Sequence, residues 1–313
     1  MTLLQRFALF FCALVALKAH PSAEEPLRVV TTIPSVADLT KRLGGEHVQV
    51  HSLARGQEDL HFLPVRPSAL VQMSKADLFL CVGLGLEHAF APGLLRASRN
   101  LDIQIGTDGF HTVGKDWETI QIPPNLSRVN GTCLHPMGNP HINLSVRSGV
   151  HMAREVHAAL CRKLPRKKEL LDRNLATFEK EVEKARERWA KIAKPLAGKK
   201  VVQFHQEFDY WFRDVGIEVL ANIEPRPGVI PSAKYLAELA QTMRDENIDV
   251  IFTAPWSNNR FCRSLAKKTG AKIVVLPHMV HAVKGVDSWF DLQDELLKRV
   301  TKALVPAERV SSR

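Results

Sequence analysis

KKELLDRNLATFEKEVEKARERWAKI, residues 167–192, is the stretch on which the fold turns. Leu170, Leu171, Leu175, Phe178, Val182, Ala185 and Trp189 recur at three- and four-residue steps, which is one apolar stripe along a long, charged helix. Intervening Glu and Lys can pair at i,i+4. No Pro or Gly interrupts the run, so this helix cannot bend sharply and suits a rigid connector.

Short β-type runs alternate with helical runs on both sides of it. Upstream, Leu27–Thr32, His47–Leu53 and Asp77–Val82 read as strands, with Leu101–Ile105 a weaker fourth. Ser35–Leu43, Pro67–Lys75 and Arg147–Leu164 read as helices; Thr107–Pro140 is a long aperiodic loop. Downstream, the strands are Lys200–Phe204, Glu218–Ile223, Asp249–Thr253 and Lys272–Leu276. Helices fit at Glu207–Asp214, Ser232–Asp245, Asn258–Thr269 and Ser288–Leu304. Strand–helix alternation implies parallel sheets flanked by helices. The expected fold is α/β: two lobes, residues 24–165 and 196–313, each a mainly parallel sheet flanked by helices, joined by one long rigid helix over 166–195.

The first residues differ from the rest. Arg6 precedes the apolar run Phe7–Leu17, which has the length of a signal-peptide core and is too short to span a bilayer. Residues 1–23 therefore read as a secretory signal, with Ala19 and Ala23 as cleavage points. Cys12 follows Phe11 rather than a small residue, which argues against a lipid anchor. The expectation is an exported, periplasmic monomer without a membrane anchor. The formal charge of +10 includes Arg6 and Lys18, so the mature chain carries about +8. Its basic residues are dispersed and many alternate with Glu, which describes a solvated surface rather than a nucleic-acid site. Cys81, Cys133, Cys161 and Cys262 contain no C-x-x-C pair, so a cysteine zinc site is not expected.

Of the 13 histidines, three stand out by location. His205 ends the apolar run VVQFH, and carboxyl ends of parallel strands are where ligands bind. His61 lies in the turn-rich EDLHFLPVRPS, and His141 follows Gly-Asn-Pro in HPMGNPHINL. Imidazole is the usual borderline-soft donor for zinc. Separations of 80 and 64 residues match no compact zinc motif, so spacing alone carries the site only weakly.

The segments VVTTIPSVADLTKRLGGEHVQVHSLARGQEDLHFLPVRPSALVQMSKADLFLCVGLGLE, GNPHINLSVRSGVHMAREVHAAL, VVQFHQEFDYWFRDVGIEVL and IEPRPGVIPSAKYLAELAQTMRDENIDVIFTAPWSNNRFCRSLAKKTGAKIVVL closely resemble the zinc/manganese solute-binding proteins of ABC transporters. The resemblance covers nearly the whole mature chain. It implies two α/β lobes on a rigid helix, a receptor that captures a divalent metal ion and hands it to a membrane permease, and His61, His141 and His205 as the first three ligands. In that family a Glu at the third position goes with manganese and a His with zinc, and this chain has His205. Three imidazoles also favour zinc, whereas manganese prefers more carboxylate oxygen.

Two departures matter. The family's acidic ligand after the last lobe-two strand is missing from VVLPHMVHAV, leaving Glu58, Asp59, Glu207, His278, His281 or water for the fourth position. The loop over 107–140 has only His111 and His135 where many zinc members carry a run of histidines. The alternatives are the same receptor role for manganese or another transition metal, a zinc-dependent hydrolase with Glu207 as base, and a surface-binding scaffold. No H-E-x-x-H motif supports the hydrolase, so an enzyme is not expected.

Overall fold

Runs that are apolar at every position become the central strands. In this computed structural model, which describes residues 25–124, 135–257 and 259–305, Leu78–Cys81 and Val250–Thr253 are buried along their whole length. That is how strands covered on both faces behave. The first sheet holds β1 (Leu27–Thr31), β2 (Val48–Ser52), β3 (Leu78–Cys81) and β4 (Phe110–Thr112) in the order β2-β1-β3-β4, all parallel. The second holds β5 (Lys200–Gln203), β6 (Glu218–Asn222), β7 (Val250–Thr253) and β8 (Lys272–Val275) in the order β6-β5-β7-β8, again all parallel. Both orders reverse direction beside the first strand of the sheet, and the crevice beyond the strand ends at such a point is a natural ligand site.

Helices α1 (Pro34–Gly44), α2 (Pro67–Lys75), α3 (Ala91–Ser98) and α4 (Val146–Lys163) belong to the first half. The connector α5 (Lys168–Ala193) is one helix of 26 residues. The second half carries α6 (Asp209–Asp214), α7 (Ala233–Asp245), α8 (Arg260–Thr269) and α9 (Trp289–Leu304).

The stripe of α5 faces inward as its period requires: Leu171, Phe178, Val182, Ala185 and Trp189 are buried. Phe178 and Trp189 pack edge-on against Trp289 at 5.6 and 6.0 Å between ring centres. Asn174 donates to the Leu43 carbonyl at 2.7 Å and Arg42 pairs with Glu181, tying α5 to α1. Arg188 and Trp189 both donate to Asp294 of α9. One apolar core runs without a break from Val29 and Phe79 through Met152 and Phe178 to Trp211, Phe252 and Trp289. A smaller core, with Phe204, Leu236, Met243 and Cys262, lies under α7 and α8.

Two expectations fail. Leu101–Ile105 is not a strand: Leu101–Ile103 is a turn of 3-10 helix, and β4 lies further on, inside the segment read as aperiodic. The Asn100 side chain accepts from the Asp102 N–H, and the Thr107 hydroxyl donates to the Asp102 and Gln104 carbonyls, which curl the segment. Leu101 and Ile105 are left exposed. Helix α3 was not expected. The proposed signal, residues 1–23, and Cys133 lie outside the described residues, among which Cys81, Cys161 and Cys262 are free thiols. Among the described residues no helix is long and apolar enough to cross a membrane.

Candidate metal centre

His61, His141 and His205 come from three separate loops, and the fold brings all three together. Their Nε2 atoms form a near-equilateral triangle: 3.2 Å from His61 to His141, 3.3 Å from His61 to His205 and 3.2 Å from His141 to His205. All three residues are at most 4% exposed.

Each ring is positioned by its own loop. His61 follows β2, in a turn folded around Glu58. The Glu58 Oε2 accepts from the backbone N–H of Arg55, Gly56 and Gln57, while its Oε1 pairs with Arg66 at 2.9 Å. Asp59 Oδ1 accepts from the His61 N–H at 2.9 Å, an Asx turn that aims the ring. Gly56 has φ +124° and lies against the His281 backbone, where a Cβ would come within 2.4 Å; no other residue fits there.

His141 is set by Asn139. The Asn139 Oδ1 accepts from the His141 N–H at 2.9 Å, and its Nδ2 donates to the Gln206 carbonyl at 2.9 Å. One side chain thus links the His141 loop to the residue after His205. Tyr210 adds a hydrogen bond to the Asn139 carbonyl at 2.8 Å.

His205 follows β5, the strand beside which the second sheet reverses its order. Its Nδ1–H donates to Glu224 Oε2 at 2.8 Å. That bond fixes the tautomer and leaves the Nε2 lone pair free for an ion, the arrangement by which carboxylates orient metal-binding imidazoles. Trp256 packs edge-on against the same ring at 5.7 Å.

Burial drives the pKa values of His61 and His141 well below the ordinary imidazole value, with the surrounding histidines adding to the effect. Both rings are neutral donors at neutral pH. Burial also pushes His205 down, but the bonded Glu224 carboxylate, with Glu207 and Asp59 beyond it, outweighs this and holds His205 above the ordinary value.

The triangle matches the edge of a coordination tetrahedron. Zinc bonded to nitrogen at about 2.0–2.1 Å in tetrahedral geometry sets its donors about 3.3–3.4 Å apart. A six-coordinate ion with longer bonds would space adjacent donors almost as far, so donor chemistry, not spacing, distinguishes the ions.

The residues weighed for the fourth position are disposed differently. Among the described residues, no other His, Cys, Asp or Glu donor lies within 4.8 Å of all three nitrogens. Glu58 is committed to its turn. His278 is fully buried, but its Nε2–H donates to the Glu58 carbonyl at 3.0 Å. His281 lies at the surface beside Asp287. Glu207 accepts from Trp256 Nε1 at 3.1 Å, and burial pushes its carboxyl up to about 8. Asp59 is engaged by the His61 N–H.

His135, given no role in the sequence reading, stacks on His61 with ring centres 4.8 Å apart and planes 30° from parallel. Burial lowers its pKa to about 4. It lines a cavity of about 300 Å³ together with His141 and His205, between residues 121–124 and 225–227. His111, the other histidine of that loop, is instead bonded to Glu155 at 2.8 Å. His157 lies with Cys161 and Asp172 in a second cluster of potential donors. There Asp172 already pairs with both His157 and Lys168. Neither Glu224, which lies in a Pro-rich turn after β6, nor Trp256 carried a sequence signal.

The model of the family described as zinc-uptake complex component A, periplasmic, matches residues 29–303. The metal ABC transporter substrate-binding lipoprotein FimA of Streptococcus parasanguinis is 23% identical over 307 residues, covering 95% of this chain and 96% of that protein. The manganese ABC transporter substrate-binding lipoprotein PsaA of Streptococcus pneumoniae serotype 4 is 21% identical over 304 residues, covering 95% of each. Among solved structures, a crystal structure of ZnuA superposes with a TM-score of 0.74 at 22% identity, covering 89% of this chain and 99% of that one; at that identity the likeness concerns the fold.

Proposed function

The chain belongs to the family of the periplasmic component A of the zinc-uptake complex, substrate-binding receptors of metal ABC transporters and not enzymes, and from that premise we propose that its cargo is zinc, held by His61, His141 and His205. The observation that carries this reading is the triangle of buried Nε2 atoms, 3.2–3.3 Å apart, with no carboxylate oxygen of the described residues within 4.8 Å of all three. Three neutral imidazoles are a borderline-soft donor set that suits zinc, whereas manganese prefers carboxylate, carbonyl and water oxygens. A relative named for manganese leaves the ion to be decided by the donors of this chain.

In this reading residues 1–23 direct export and are removed, leaving a periplasmic protein without an anchor. Residues 24–165 and 196–313 act as the two lobes, and 166–195 as the connector that holds them in register. The His61 loop comes from the first lobe, His141 from its end and His205 from the second, so the ion bridges both. A loaded receptor then presents its ion, at the strand ends of both sheets, to the permease.

The test is metal analysis of the purified mature protein after equilibration with equal zinc and manganese. The reading expects close to one zinc per chain and little manganese. Manganese as the retained ion would overturn it.

A further inference from the structure

His135 is an unusual side chain to bury. It is 7% exposed, and neither ring nitrogen has a hydrogen bond of ordinary geometry, although the Gly85 backbone approaches it. A buried polar atom without a good partner is costly, and native structures rarely retain one without a reason. An apolar ring would pack on His61 equally well without that cost.

The location supplies the reason. His135 stacks on His61 at 4.8 Å and approaches His141 edge-on at 6.4 Å between ring centres. It therefore lies beside the triangle of Nε2 atoms, on its His61 side, with no ring nitrogen within 4.8 Å of all three. It also lines the 300 Å³ cavity beside His141 and His205, so its ring has open space into which to turn. The carboxylates close by, Asp59 and Glu207, place no oxygen within 4.8 Å of all three nitrogens.

We propose that His135 is the fourth ligand of the bound ion, turning off the face of His61 to close a four-imidazole tetrahedral site. This rests on the zinc reading of His61, His141 and His205. The stacked position is then the metal-free one. The turn converts one unpartnered nitrogen into a donor, and it replaces the water that a three-histidine zinc site would keep.

X-ray absorption on the zinc-loaded mature protein tests this, because imidazole rings give a countable scattering signature. Four imidazoles are expected for the wild type. His135→Ala and His135→Phe should each give three imidazoles and one oxygen, with affinity weakened about tenfold or more, as loss of a ligand's support does. His135→Phe keeps the stack on His61 but cannot ligate, so wild-type affinity in that variant would overturn the proposal. So would three imidazoles and one oxygen in the wild type, which would leave the zinc reading intact. Unchanged affinity in His61→Ala, His141→Ala and His205→Ala would overturn both.

Discussion

Glu224 decides the protonation chemistry of His205, and through it the pH response of the site. Its carboxylate, 2.8 Å from Nδ1, raises the His205 pKa above its ordinary 6.5 although burial opposes it. That shift favours the protonated ring in the metal-free site, and zinc must displace the proton. His61 and His141, pushed well below 6.5, have none to give. Apparent zinc affinity should thus fall as pH drops through the raised His205 value, starting above 6.5. Calorimetry in buffers of different ionisation heat should detect proton release on zinc binding that grows as pH falls. In Glu224→Gln that release should vanish and affinity should fall about 10–100-fold; unchanged affinity and release would remove Glu224 from the site. The convergence of His61, His141 and His205 was legible because His205 ends a strand and because the segments around all three resemble known ones. Glu224 was not, since IEPRPG reads as an ordinary turn and the partner of a ring is set by tertiary approach. His135 was hidden for the same reason: in sequence it is one more loop histidine, and only its burial against His61 marks it.

At the scale of elements, the long periodic segments and most of the short apolar runs were legible, and β4 and α3 were not. The stripe of α5, repeated over 26 residues, leaves one solution. Strand β4 has three residues and α3 has eight, too few to show a period. Gly149 in α4 illustrates a constraint invisible from sequence. A Cβ there would come within 2.2 Å of Trp289, the ring on which Phe178 and Trp189 also pack. Gly149→Ala should overpack this joint between α4, α5 and α9 and cost about 1–3 kcal/mol. The expected outcome is a melting temperature lowered by several degrees with zinc affinity near wild type. An unaltered melting temperature would mean that the joint relaxes freely, and a lost affinity would mean that the joint sets the ligand geometry.

At the scale of the molecule, the two sheets are not independent bodies hinged on a flexible strand. A single apolar core crosses from one to the other, and α5 is bonded to α1 on one side and α9 on the other. Wide closure would have to open that core, so zinc should order side chains at the site and tilt the lobes little. Solution scattering of metal-free and zinc-loaded protein should give nearly equal radii of gyration; a large compaction would contradict the rigid connector. The central claim is more local: three histidines from both halves of the chain make one zinc site. Competition titration of zinc against a chromophoric chelator, on the mature protein and on His61→Ala, His141→Ala and His205→Ala, tests it most directly. The account predicts one tight zinc per wild-type chain and a strong loss of affinity in every variant, and wild-type affinity in all three would contradict it.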